Sequence, residues 1–148
     1  MSDRYEIIRL RNQLCFPLYL VSKEMIRRYT PILEELDLTY TQYVVMMYLW
    51  EFEKCSVSEM GDALLLDPST LTPLLKKLEG KEYITRSRDE KDERVLNIKL
   101  TKKGSDLKEK ALSVPEKMKC CIGLTPEEAA QLCELVMKIL NNIEEEVK

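Results

Sequence analysis

The stretch 67–101 constrains the fold of this chain more than any other segment. An aspartate N-cap followed by proline at the first helical position predicts a helix over 68–79. Residues 83–88 and 95–100 are rich in strand-favouring side chains and flank a polar turn, so they predict a hairpin. A groove-sized helix beside a basic ribbon is an arrangement that holds duplex DNA.

Two capping boxes predict the helices that precede this stretch. Thr39 and Gln42 open a strongly apolar helix, and Ser56 with Glu59 starts a short helix to about residue 65. The short helix and the 68–79 helix, joined by a tight turn, form a helix-turn-helix whose second helix reads DNA.

The flanking segments predict further helices. Apolar residues three or four apart over 10–33 mark one helix face, and Pro17 indicates that the regular helix begins close to Cys15–Pro17. A helix over about 104–121 follows the hairpin, and Thr125 with Glu128 caps a last helix. The apolar faces of these helices need a partner. A two-fold dimer supplies one; the alternative is packing within one subunit.

The predicted fold class is mainly α with a small β-hairpin wing, in a single domain over 1–148. The winged helix-turn-helix module spans approximately 39–103, and dimerisation helices span 8–36 and 104–148.

Charge is distributed unevenly along the chain. The whole chain has 23 Lys+Arg and 26 Asp+Glu, which argues against indiscriminate binding to nucleic acid. Residues 69–103 hold ten basic and six acidic residues, whereas the remainder holds 13 basic and 20 acidic residues. This asymmetry is typical of a protein with one DNA-facing surface, although a solvated charged face would give the same pattern.

Composition excludes several classes of protein. No apolar run approaches the roughly 20 residues that span a bilayer, and the N-terminus lacks the apolar core of a secretion signal. We therefore expect a cytoplasmic protein without membrane association, whose five cysteines start out reduced. The chain has neither histidine nor a Cys-x-x-Cys pair, so we expect no metal site, no cofactor and no enzymatic thiol turnover.

The predicted reading helix carries short hydroxyl side chains near its start. Ser69, Thr70 and Thr72 can reach base edges and phosphates, although Ser69 and Thr70 alternatively only complete the helix start. Lys76 and Lys77 lie further along and favour phosphates.

The tip of the predicted hairpin mixes both charge signs. Arg94 is the first choice for insertion into a minor groove, where the negative potential is concentrated. Asp92 can hold the guanidinium of Arg94 by bidentate hydrogen bonds. Arg86 and Arg88 are expected to meet phosphates or acidic neighbours.

Cys15 is the candidate redox sensor. Its place near a helix start favours the thiolate, which is the form that peroxide oxidises to sulfenic acid. Tyr19 follows one turn later, and Tyr29, Tyr40 and Tyr43 can also supply phenol hydrogen bonds. The alternative is an inert cysteine on an apolar helix face.

Four segments resemble the MarR family of winged helix-turn-helix regulators. Asp89–Gly104 resembles the family's wing and the start of its next helix. Three other segments are similar to the branch of the family that senses organic hydroperoxides through a cysteine, namely Leu10–Tyr19, Leu38–Tyr43 and Asp67–Pro73. The resemblance covers nearly the whole chain. Pro68 stands where many relatives carry a smaller residue, so a base contact there can differ.

The resemblance implies a homodimeric repressor on a pseudo-palindromic, double-stranded operator. An oxidant or a low-molecular-weight thiol would react at Cys15, and the tyrosines that hydrogen-bond its thiolate would match Tyr29 and Tyr40, some from the partner subunit, with Tyr19 a further candidate. An alternative within the family is release by a small aromatic ligand instead of by thiol oxidation.

Four other cysteines remain. Cys55 is expected in the loop between helices, and Cys133 in the core or an interface. Cys120 and Cys121 fall near the turn before the last helix, where each is either structural or the thiol that resolves an oxidised Cys15.

Overall fold

A computed structural model describes residues 4–146 as seven α-helices with a small antiparallel sheet. The helices are α1 Cys15–Glu34, α2 Tyr40–Phe52, α3 Val57–Leu64, α4 Pro68–Gly80, α5 Lys102–Ala111, α6 Ser113–Ile122 and α7 Pro126–Glu146, and the strands are β1 Lys54–Ser56, β2 Ile84–Arg88 and β3 Leu96–Leu100. Two short 3-10 turns, Glu6–Ile8 and Leu10–Asn12, precede α1. The predicted domain also includes residues 1–3, 147 and 148, which lie outside the described residues.

The helix starts confirm the predicted caps. Thr39 and Ser56 each form both hydrogen bonds of a capping box, with Gln42 and Glu59 respectively. The side chain of Asp67 accepts a hydrogen bond from the backbone N–H of Thr70 at the start of α4. Helix α1 begins at Cys15, so Pro17 falls in its first turn, where the missing N–H costs nothing.

The sheet contains one strand that the sequence analysis missed. Its order is β1-β3-β2, with Lys54 opposite Lys99 and Ile84 opposite Leu100. The hairpin of β2 and β3 was predicted. Strand β1 was not, because three residues are too few to show an alternating pattern.

The core of the first compact unit lies between the sheet and helices α1 to α5. Its most buried side chains include Leu33, Met46, Leu49, Leu75 and Ile98. Trp50 donates from Nε1 to the carbonyl oxygen of Gly104 at 2.8 Å. A Cβ atom at Gly104 would lie 2.0 Å from the carbonyl oxygen of Tyr83, so only glycine allows α5 to approach the sheet this closely.

The predicted single helix over 104–121 is wrong, because the chain forms two helices there. Helix α5 ends at Ala111, and α6 begins at Ser113. Pro115 explains the break, since its ring would clash with the carbonyl of Ala111 in a continuous helix and its nitrogen has no hydrogen to donate. A new start at Ser113 places the proline in a first turn.

The chain divides into two compact units between Val114 and Pro115. Large apolar side chains are exposed in both. Many of those in the first unit precede or lie on the first half of α1, and many of those in the second lie on α7, among them Ile7, Ile8, Leu10, Leu14, Val21, Leu132, Leu135, Val136 and Ile143. Among residues 4–146, none of the helices is at once long and apolar enough to cross a membrane.

Candidate DNA interface and thiol site

Helix α4 buries one face and exposes the other. Leu71, Leu74, Leu75 and Leu78 are spaced three or four apart and are buried, which fixes the rotation of the helix on the core. The opposite face exposes every polar side chain that was predicted to read DNA, namely Ser69, Thr70, Thr72, Lys76 and Lys77. We call α4 the reading helix from here on.

Asp67 organises the first turn of the reading helix. The hydroxyl of Ser69 donates to Asp67 Oδ1, the hydroxyl of Thr70 donates to Oδ2 at 3.3 Å, and the Thr70 N–H donates to Oδ1 at 3.1 Å. These bonds, led by the one from Ser69, lower the pKa of Asp67. The hydroxyls of Ser69 and Thr70 therefore complete the helix start, and in this geometry their oxygens are left as acceptors.

The wing, which we define as β2, β3 and the turn between them, is held at its tip by Asp89. Its carboxylate accepts from the N–H groups of Lys91 at 2.9 Å and Asp92 at 3.3 Å and from Asn97 Nδ2 at 2.9 Å. These bonds lower the pKa of Asp89, and the Lys91 N–H is the largest cause. This role of Asp89 was not predicted, although an aspartate that accepts a hydrogen bond from the backbone two residues later is a known turn signal.

Arg94 projects from the wing with its side chain 92% exposed. Asp92 Oδ1 accepts from the Arg94 N–H at 3.0 Å and from its Nε at 3.2 Å. The predicted contact with Asp92 is thus present. It is not bidentate, since both bonds end on one oxygen. Within residues 4–146 the two terminal guanidinium nitrogens make no hydrogen bond, so they face outward for another partner.

Arg86 and Arg88 have different surroundings. Arg86 reaches back to the reading helix, where Glu79 Oε2 accepts from its Nε at 2.8 Å and from Nη2 at 2.6 Å. Glu79 Oε1 also accepts from the Arg86 N–H at 3.2 Å. These contacts, led by the side-chain hydrogen bond, lower the pKa of Glu79. Arg88 is exposed, and its Nη1 donates to the carbonyl of Glu93 at 2.9 Å within the wing.

Of the tyrosines that were predicted to contact Cys15, Tyr19 lies near it in the same chain and Tyr29 lies far from it. Cys15 is the exposed first residue of α1, and Tyr19 lies one turn later with 60% exposure. Tyr29 follows fourteen residues after Cys15 on the same helix, about 21 Å along its axis.

Tyr29 belongs instead to a cluster of three aromatic rings. Its ring centroid lies 4.9 Å from that of Tyr40 and 6.1 Å from that of Tyr43. We call Tyr29, Tyr40 and Tyr43 the tyrosine cluster. Burial, followed by the neighbouring phenols, raises the pKa of Tyr29 and Tyr43, so both remain O–H donors.

The other cysteines differ sharply in exposure. Cys55 is buried in β1 rather than lying in a loop, because its side chain faces the core opposite Ile98. Burial, and secondarily Glu59, raises the pKa of its thiol to about 11. Cys133 is exposed on α7, which excludes the core position for this subunit. No group of three or more potential metal ligands occurs among residues 4–146.

Cys120 and Cys121 occupy the last turn of α6. Both are exposed, and their thiols donate weakly to the carbonyls of Glu116 and Lys117, each at 3.7 Å. They are therefore open to reaction from solvent.

Comparison with known proteins places this architecture. Residues 27–111 match the family described as "Transcriptional regulator SarA/Rot". The Organic hydroperoxide resistance transcriptional regulator of Bacillus subtilis is 44% identical over 135 residues, which cover 91% of this chain and 90% of that protein. The chain belongs to the MarR family, in the branch of that regulator. The predicted family and branch are confirmed.

Solved structures agree with this assignment to the MarR family. The structure of reduced AbfR bound to DNA superposes with a TM-score of 0.83 at 32% identity, covering 99% of this chain and 100% of that chain. A disulfide-formed AbfR structure superposes with a TM-score of 0.68 at 34% identity and covers 95% of this chain and 96% of that chain. AbfR is a protein of Staphylococcus epidermidis. The predicted winged helix-turn-helix fold is therefore confirmed.

Proposed function

We propose that this MarR-family chain is a dimeric transcription repressor that releases its operator DNA when Cys15 is oxidised by an organic hydroperoxide. The observation that carries this proposal is the placement of Cys15, exposed at the start of α1 beside uncovered apolar side chains. The relative from Bacillus subtilis is named for organic hydroperoxide resistance. A second similar protein, AbfR, has been solved in its reduced form on DNA and in a disulfide form.

The dimer follows from two features of α1. Its first half exposes apolar side chains that a second copy would cover. In addition, the 14-residue separation on one helix keeps Cys15 away from Tyr29 of its own chain. Only a partner subunit can bring its tyrosine cluster to Cys15, as the resemblance implies. Tyr19, one turn from Cys15, is the candidate from the same subunit.

The DNA contacts divide between the reading helix and the wing. Thr72 is free of the Asp67 network and can meet bases, with Ser69 and Thr70 as acceptors beside it. Lys76 and Lys77 would neutralise phosphates, as would Arg88. Arg94, oriented by Asp92, would enter the minor groove. Two such sets, one from each subunit, suit a pseudo-palindromic operator.

Oxidation begins at the sulfur of Cys15. The thiolate attacks the terminal peroxide oxygen, an S–O bond forms while the O–O bond breaks, and the alkoxide leaves and takes a proton to become the alcohol. Sulfur is oxidised by two electrons and the peroxide is reduced. A thiol then displaces water from the sulfenic acid and forms a disulfide. That thiol would be Cys120 or Cys121, both exposed, or a small cytoplasmic thiol.

Each subunit reacts once per cycle, so the protein senses hydroperoxide and does not turn it over. Its relatives are transcriptional regulators. Operator binding and a thiol that switches between reduced and oxidised forms would both suit a cytoplasmic protein. A loss of about 3 kcal/mol in DNA binding, within ordinary coupling energies, would lower affinity more than a hundredfold.

The test compares Cys15→Ser with Cys133→Ser, a matched change at an exposed thiol to which we assign no role. Gel-shift titrations on the promoter of the protein's own gene would be run with and without cumene hydroperoxide. We expect Cys15→Ser to bind as the wild type does and to stay bound after peroxide, whereas Cys133→Ser is released. Peroxide-induced release of Cys15→Ser would overturn the proposal. Release of Cys15→Ser by an aromatic ligand alone would favour the ligand-gated alternative.

A further inference from the structure

Lys81, the residue that follows the reading helix, binds a segment distant in sequence. Its Nζ donates to the carbonyl oxygen of Asp37, to Asp37 Oδ1 at 3.2 Å and to Gln42 Oε1 at 3.3 Å. The Lys81 side chain is only 27% exposed. We call residues 35–39 the α1–α2 junction. Lys81 thus ties the C-terminal end of the reading helix to this junction and to the first turn of α2.

Gln42 connects the Lys81 contact to the start of α2. It is buried, and its Oε1 also accepts the N–H of Thr39 at 3.1 Å, which is half of the capping box that starts α2. One oxygen therefore serves both the cap of α2 and the Lys81 ammonium. Any tilt of the first turn of α2 moves this shared acceptor.

The first turn of α2 also carries part of the tyrosine cluster. Tyr40 is the first residue of α2, and its ring packs on Tyr29 of α1. A displacement of these rings by chemistry at a partner's Cys15 would act on the same turn that holds Gln42. Lys81 lies at the other end of this short path, directly after the reading helix.

We propose that Lys81 is a positioning residue that couples the tyrosine cluster to the reading helix, so that oxidation at Cys15 repositions α4 on DNA through Gln42, Asp37 and Lys81. This inference rests on the proposed thiol-switched function. It assigns the transmission to three side chains that do not touch DNA or the oxidised sulfur.

The alternative is that Lys81 only anchors the fold. Anchoring of the reading helix does not need it, because four buried leucines already hold α4 on the core, and the O–H of Tyr83 donates to the carbonyl of Leu36 at 3.3 Å as a second link to the junction. Loss of the ammonium should therefore leave the resting position of α4 nearly unchanged. The loss instead removes the charged hydrogen bonds that join Lys81 to Gln42 and Asp37.

The test is the ratio of operator affinity before and after oxidation, measured by fluorescence anisotropy on the whole dimer. Lys81→Met keeps the length of the side chain and removes its charge and donors, and Lys110→Met is the control at an exposed lysine. Mass spectrometry of Cys15 verifies equal oxidation. For Lys81→Met we expect reduced-state affinity within about threefold of the wild type, and an oxidation effect cut from about a hundredfold to below about tenfold. Lys110→Met should retain the full effect.

Two further variants separate coupling from anchoring. Lys81→Arg keeps the charge and donors and should restore most of the oxidation effect. Asp37→Asn weakens the same link. The double variant Asp37→Asn/Lys81→Met should therefore lower the oxidation effect by less than the sum of the losses in the two single variants.

The outcomes separate failure of the proposed function from failure of the coupling role of Lys81. If the wild type is not released by hydroperoxide, the proposed function fails. If the wild type is released and Lys81→Met shows the same ratio, the coupling role fails alone, and equal weakening of both states by Lys81→Met also refutes it. Should Lys81→Met fail to fold, the ratios for Lys81→Arg and Asp37→Asn decide, and unchanged coupling in Asp37→Asn refutes the proposal.

Discussion

The cysteines show how position in the fold decides the chemistry of one residue type. Cys15 lies exposed at a helix start, whereas Cys55 is buried in a strand with the pKa of its thiol raised to about 11. Of these two thiols, only that of Cys15 is accessible to an oxidant. The sequence placed Cys15 correctly at a helix start because Pro17 marks that start. It misplaced Cys55, because the three-residue strand that holds it has no readable pattern.

Cys55 makes the stability of the protein sensitive to alkaline pH. Its thiol ionises near its ordinary value of 9.0 in the unfolded chain but at about 11 in the folded protein. Between these pH values the unfolded state releases a proton that the folded state keeps, so stability falls as pH rises, by at most about 1.4 kcal/mol per pH unit. Urea unfolding at pH 8 to 11 should show a steeper loss for the wild type than for Cys55→Ala. Parallel losses in the two proteins would disprove this linkage.

At the scale of elements, the reading helix and the wing are joined by the pair of Glu79 and Arg86. Three hydrogen bonds to one carboxylate fix the angle between the reading helix and the wing that carries Arg94. The pair lies at the sheet surface, with side chains 21% and 37% exposed for Arg86 and Glu79. Its direct contribution to stability is therefore modest, about 1 kcal/mol or less. We expect the pair to act mainly by holding the reading helix and the wing in a fixed relative position.

We accordingly expect Glu79→Gln to affect DNA binding more than folding. The amide can still accept the Arg86 N–H but no longer pairs with the guanidinium, so the wing loses its fixed angle. Operator affinity should fall about three- to tenfold, roughly 1 kcal/mol in binding, while the urea midpoint changes little. Asp106→Asn, which breaks an exposed ion pair with Lys102 at 2.8 Å, is the matched control and should be neutral. Equal affinities for the two variants would refute the positioning role of Glu79.

Local signals explain which elements were predictable. The caps at Thr39, Ser56 and Asp67 act over three residues, so the sequence displays both partners together, and all three were predicted correctly. The break before Ser113 was also encoded locally, by Pro115, but was overlooked. The side chains of Arg86 and Lys81 bind residues in other segments, Glu79 and Asp37. Their partners could not be chosen from the sequence alone, because the chain holds many acidic residues and only the fold decides which of them lie close.

At the scale of the whole molecule, the separation of Cys15 from Tyr29 means that the proposed sensor needs a second subunit. Within one chain the two residues lie fourteen positions apart on α1, with Tyr29 in the tyrosine cluster. The sequence predicted a dimer from uncovered apolar faces, and the structure leaves those side chains exposed in the subunit. Oxidation, dimer geometry and DNA affinity are therefore expected to change together.

One titration tests this linkage most directly. Operator affinity of the wild-type dimer would be followed by fluorescence anisotropy while cumene hydroperoxide is added, with Cys15 oxidation measured by mass spectrometry on the same samples and the oligomeric state by sedimentation. We predict that affinity falls about a hundredfold in step with oxidation of Cys15, in a protein that stays dimeric, and that dithiothreitol restores it. Unchanged affinity with Cys15 fully oxidised, or operator binding by a monomer, would contradict the proposed switch.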